Sequence, residues 1–422
     1  MTENDNLEIS RRRLLGTVGA AGATGLVLGA AGGAGISAAV SGDEPGAPGS
    51  GGSPRLTAVG ATEVMFHGKH QAGITTPLQS RGHLVAFDLA PGAGRKEATA
   101  LLRRWSATAK ALMAGKAATG DTGIALDAGP SSLTVTFGFG RTFFDRTGLV
   151  SRRPGALDPL PAFSSDALDP RRSEGDLWVQ IGADDALVAF HALRALQKDA
   201  GDTARVRWQM NGFNRSAGAT AKPMTARNLM GQVDGTNNPK PADPDFDRRL
   251  FVPAGGTDAE AWMAGGSYAV VRRIRMLLDD WEKLPLDGQE KVIGRRKSDG
   301  APLSGGSETT ALDLNKRGPD GQLAVPDNAH ARISAPEQNG GAAMLRRPFS
   351  FHDGIGADGT PDAGLLFICW QADPLRGFVP VQRKLDRGDA LSAFIRHEAS
   401  GLFAVPGGPA QGEYVGQRLL ES

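Results

Sequence analysis

The order of hydrophobic periods between residues 82 and 213 constrains the fold more than any other feature of the chain. Residues 82–90, GHLVAFDLA, read as a strand. Residues 95–113 carry Leu101, Trp105, Thr108 and Leu112 at helical spacing on one face. SLTVTFGF then alternates Leu133, Val135 and Phe137 with threonines, and residues 175–183 alternate Leu177, Val179 and Ile181. Asp184 stands where a cap is wanted for a helix over roughly 185–198, and residues 204–213 read as a further strand. Strand–helix–strand–strand–helix–strand is the ferredoxin-like arrangement.

The second half has a similar outline. Residues 266–276 read as a strand running into a helical LLDDWEKL, and GLLFICWQAD, 364–373, is a strand too apolar to be exposed. GDALSAFIRH, 388–397, reads as a helix and SGLFAVPGG as a closing strand. The expectation is an α+β fold of two ferredoxin-like domains with antiparallel sheets, at 57–225 and 226–422, and a chain of 422 residues is long enough for both. Residues 286–328 form a long polar stretch, and loops of that length are functional or disordered.

Ahead of these domains, residues 1–40 combine Ser10-Arg11-Arg12-Arg13-Leu14-Leu15 with a Gly/Ala-rich apolar run. That is the pattern of a twin-arginine export signal, implying a place in the periplasm, the cell envelope or outside the cell. The glycines make the same run a poor membrane-spanning helix. Residues 41–56 are a flexible Gly/Pro/Ser linker. A net charge of +1 with balanced signs gives no nucleic-acid footprint. One cysteine, Cys369, rules out an intrachain disulfide and cysteine-based zinc, iron–sulfur or covalent haem sites. Its apolar surroundings read as core.

Three groups of residues could carry chemistry. His67, His70 and His83 are candidates for a non-haem metal site, although none has a carboxylate partner at metal-ligand spacing. Asp234 lies alone in GQVDGTNNP, where turn residues would let backbone approach a ligand closely. His330 lies in VPDNAHARISAPEQ, and Arg346 and Arg347 interrupt the apolar LRRPFSF, where a buried arginine needs an anionic partner. A haem site needs an axial ligand, cations for its propionates and an acid–base group across the ring. His330, Arg332, Asp234 and Arg346 supply these, while spacing alone leaves structural roles open.

GQVDGTNNP also resembles the Gly-x-x-Asp-Gly run of the dye-decolourising peroxidases. FHGKHQAGITTPLQ at 66–79, VIGRRKSDGAPLSG at 292–305, HARISAP at 330–336 and LRRPFSF at 345–351 resemble that family in the same order. So do residues 364–385 and 401–408, which extends the resemblance over about 55–415. It implies two ferredoxin-like domains packed around a haem pocket, with one non-covalent haem b per chain. His330 would be the proximal iron ligand, with Asp389 accepting its N–H. Asp234 would be the distal acid–base group and Arg346 the distal arginine. Gly235, Thr236 and Asn237 would line the haem, Arg332 would meet a propionate, and Ala335, Pro336 and Glu337 would touch the ring. Glu337 departs from the basic residue of some relatives.

The implied activity is reduction of hydrogen peroxide with dyes, phenols or other small-molecule reductants. Its optimum would be acidic, because a carboxylate of ordinary pKa, about 3.9, serves as the base. The implied partners are the twin-arginine machinery, a second copy of the chain, and iron-transport or oxidase proteins. Trp281 and Trp370 are candidate electron relays, with core packing the plainer role. The rival readings are a deferrochelatase that releases iron from haem and the non-haem metal binder.

Overall fold

The computed structural model describes residues 58–421 except 217–218, 221–223, 256 and 258–259; the expected export signal and linker lie outside the described residues. In the first half, β1 (Arg81–Leu89), α1 (Arg95–Met113), β2 (Thr134–Phe139), β3 (Leu177–Ala183), α2 (Ala186–Ala200) and β4 (Ala204–Phe213) follow the predicted sequence of periods. The antiparallel strands lie in the order β4-β1-β3-β2. The apolar stripe of α1 is buried, and the Trp105 indole nitrogen donates to the Leu196 carbonyl of α2 at 2.8 Å. Both helices therefore cover one sheet face, with Phe87, Phe137 and Leu193 in the same core.

The second half repeats the plan. β5 (Ser267–Met276) leads through α3 (Leu286–Ile293) and the four-residue α4 (His330–Ile333) to β6 (Leu345–Arg346), β7 (Phe349–Ile355) and β8 (Pro361–Gln371). The chain then forms α5 (Phe378–Gly388) and β9 (Ile395–Val405). Its main strands lie in the order β9-β5-β8-β7. β6 and β7 both pair with β8, separated by Arg347 and Pro348. The strand is interrupted there, and Pro348 has no backbone N–H to offer.

Two seams join the halves. Phe139 of β2 pairs with Ala404 of β9, and Phe213 of β4 pairs with Ser350 of β7. The eight principal strands thus close into a ring. Leu84, Trp178 and Trp208 from one half share a core inside it with Val271, Phe349 and Phe403 from the other.

Three local expectations are corrected. The cap of α2 is Asp185, whose side chain accepts from the amides of Leu187 and Val188, while Asp184 accepts from the Ser80 amide and hydroxyl. Residues 388–397 are not a helix. The helix lies just upstream as α5, and Ala390–Phe394 is a 3-10 turn feeding directly into β9. The stretch 286–328 is not all loop, because it begins with α3.

Candidate haem cavity

A cavity of about 500 Å³ opens in the second half, in the size range of cofactor sites. Apolar side chains from β5, β8 and the turn before β9 face it, among them Ile274, Leu365, Phe367 and Leu391.

One wall carries His330. Its ring Nδ1 lies 2.7 Å from Asp389 Oδ2, and the other carboxylate oxygen of Asp389 accepts the Leu391 amide at 3.0 Å. Asp389 ends α5 and caps the following 3-10 turn, which fixes its direction. The Ala390 amide donates to the Asn328 carbonyl at 3.0 Å, joining that turn to the segment before His330. Burial pulls the imidazole pKa down, but the Asp389 charge and hydrogen bond outweigh it and leave the value above the ordinary range. With Nδ1–H donated to Asp389, Nε2 carries the lone pair.

A second part of the wall is Asp234 and Arg346, whose Nη1 donates to Asp234 Oδ1 at 2.9 Å. Gly235 makes the turn at φ +113°, a conformation that side chains resist. Two residues that sequence reasoning missed hold this wall. Asn238 donates to the Arg346 carbonyl at 2.8 Å and accepts the Arg346 amide at 3.2 Å. Glu308 accepts the hydroxyls of Thr225 and Thr236 at 2.5 and 2.9 Å. Asn238 could have been found as the second Asn of GQVDGTNNP. Glu308 had no signal beyond the unusual length of its loop.

Gly235, Thr236, Asn237, Ala335, Pro336 and Glu337 all face the same cavity. Arg332 alone among the predicted residues does not. Its guanidinium donates to the carbonyls of Leu314 and Val325, at 2.7 and 3.4 Å. The histidines of the non-haem reading are not brought together. His67 meets the Pro409 carbonyl, His70 the Gly265 carbonyl and His83 the Asn211 amide oxygen. Among the described residues, no group of three His, Cys, Asp or Glu side chains could hold a bare ion. Trp281 and Trp370 are both buried in core clusters, and so is Cys369, whose thiol pKa burial pushes up.

The donor set suits haem. A carboxylate-locked imidazole is how proteins orient a metal-ligating histidine. A single such nitrogen requires the iron to bring its own equatorial ligands.

Fold and cavity define a two-domain peroxidase, and the chain belongs to the Dyp-type peroxidase family. The model of that family's N-terminal domain matches residues 71–214, and the model of its C-terminal domain matches residues 225–410. Among individual relatives, the chain is 44% identical to a dye-decolorizing peroxidase of Thermobifida fusca, over 100% of both chains. It is 34% identical to a deferrochelatase of Escherichia coli, over 99% of this chain and 98% of that one. Among solved structures, ferric DtpA from Streptomyces lividans is 76% identical with a TM-score of 0.85, covering 88% of this chain and all of that one.

Proposed function

We propose that the chain is a haem b peroxidase in which His330 ligates the iron and Asp234 and Arg346 act on hydrogen peroxide. The observation that carries this reading is a single cavity lined both by a carboxylate-locked imidazole and by an Asp–Arg ion pair. The ferric state of the Streptomyces lividans relative supports iron as the resident metal. Haem, when bound, supplies peroxide activation and holds two oxidising equivalents for one-electron donors.

Asp234 takes a proton from one peroxide oxygen and returns it to the other, which leaves as water. Such a relay contributes ~10²–10⁴-fold. Arg346 stabilises the negative charge that grows on the departing oxygen. Glu308 and Asn238 keep the distal loop and β6 in register, so the pair meets peroxide already oriented.

The test is haem reconstitution followed by rapid mixing with peroxide. Asp234→Asn keeps its haem and reacts ~10²–10⁴-fold more slowly. His330→Ala loses the haem absorption band. A parental rate in Asp234→Asn, or unchanged ligation in His330→Ala, overturns the assignment. The 34% identity to deferrochelatases motivates one more assay on the same sample. Metal-free porphyrin and released iron would support that activity, and intact haem during dye or phenol oxidation supports the peroxidase. Export by the twin-arginine route is the companion proposal, and Arg11→Lys with Arg12→Lys should keep the chain inside the cell.

A further inference from the structure

We infer that Arg347 is the positioning residue for the distal arginine. Through a cage of acceptors supplied by the first half of the chain, it fixes the strand break that presents Arg346 to Asp234. This rests on the peroxidase reading above.

Arg347 is 3% exposed, yet among the described residues no carboxylate pairs with it. A buried arginine ordinarily has an acid partner. Here Nη1 donates to the Gly73 carbonyl at 2.6 Å, and Nη2 donates to the Pro77 carbonyl at 2.8 Å and to Gln79 Oε1 at 3.0 Å. Burial without a counter-charge brings the guanidinium pKa down to about 10.

The cage itself is rigidly built. Gln79 Nε2 donates to the Ser132 carbonyl, the Thr134 hydroxyl and the Gly182 carbonyl, at 2.6, 3.0 and 3.1 Å. The amide oxygen facing Arg347 is therefore held by β2 and β3. Gly73 sits at φ +93°, and a Cβ there would come within 2.3 Å of the Thr136 hydroxyl. The Gly73 carbonyl also accepts Gln180 Nε2 at 3.0 Å.

Consecutive side chains on an extended strand point to opposite faces. Arg346 accordingly reaches the cavity while Arg347 reaches back into the cage. β6 is only two residues long, and Pro348 breaks the pairing before β7 begins. The Arg347 amide bonds to the Ile368 carbonyl at 2.9 Å, and Asn238 holds the Arg346 backbone. The planar fork on three acceptors is what stops this short segment from rotating. A lysine, with one nitrogen, cannot span the three.

The test is a double-substitution cycle on the haem-loaded protein. Arg347→Lys should lower kcat/KM for hydrogen peroxide ten-fold or more and leave KM for the reducing dye unchanged. In an Arg346→Leu background the same substitution should cost less than two-fold, because the residue it positions is gone. Gln79→Met, which removes one acceptor together with the three bonds the Gln79 amide donates, is the second variant and should show the same pattern at smaller size. Hydrogen exchange at the Arg346 amide should rise in Arg347→Lys, in both haem-free and loaded protein. Equal losses in the two backgrounds, or unchanged exchange at that amide, overturn the inference while leaving the site reading intact. If Arg346→Leu alone costs nothing, the site reading itself falls.

Discussion

At the scale of single residues, the cavity is a set of short polar contacts made in apolar surroundings. Asp389 illustrates the economy of the arrangement, since one carboxylate orients His330 and caps the next turn. Asp389→Asn should weaken haem binding about 10–100-fold, read by titrating haem-free protein. Glu174 offers a stability test away from the cavity. Burial raises its carboxyl to about 7, against smaller opposing pulls from the Leu402 amide and Arg207. Because the folded value exceeds the unfolded one, its stabilising contribution is complete below about pH 4.5 and is lost as pH rises through about 7. Glu174→Gln should therefore be more stable than the parent above pH 7, by at most about 3 kcal/mol, with the gap closing in acid. Denaturant unfolding at several pH values checks this. His330, Asp234 and Arg346 drew notice as polar groups in turns or apolar runs, but spacing left structural roles open and only the family resemblance gave them chemical ones. The carbonyl partners of Arg332 were not legible, because backbone acceptors leave no mark on composition.

At the scale of elements, long periodic segments declared themselves and short ones did not. The 19 residues of α1 gave enough turns for a clear stripe. Residues 388–397 misled because GDALSAFIRH has the composition of a helix, whereas tertiary pairing claims Ile395 onward for β9. The cap of α2 was displaced by one residue, since Asp184 and Asp185 are chemically equivalent until Ser80 takes the first. Asp185→Ala should cost about 1 kcal/mol of stability, and Asp184→Ala should leave the amides of Leu187 and Val188 capped. Thermal unfolding of the pair, with exchange at those two amides, separates the two roles.

At the scale of the whole molecule, two ferredoxin-like halves could be read in sequence, but their closure could not. Each seam rests on a single residue pair, Phe139 with Ala404 and Phe213 with Ser350, and no local pattern encodes such a contact. The shared core around Trp178, Phe349 and Phe403 makes the halves mutually dependent. Residues 58–421 should unfold in one cooperative transition in the absence of haem, with tryptophan fluorescence and far-ultraviolet circular dichroism coinciding. Two separated transitions would show independent halves.

The ring has a further consequence. An open sheet offers unpaired backbone groups along its outermost strands, and other chains can add to them. Here the other half pairs with one end of each border strand, at Phe139 of β2 and Phe213 of β4, so part of each border is covered. A break at either seam would uncover that border, and the most available complement would be the matching strand of a second copy. Exchanged dimers and fibrillar aggregates are thus the failure modes to watch for when Phe139, Phe213, Ser350 or Ala404 is replaced.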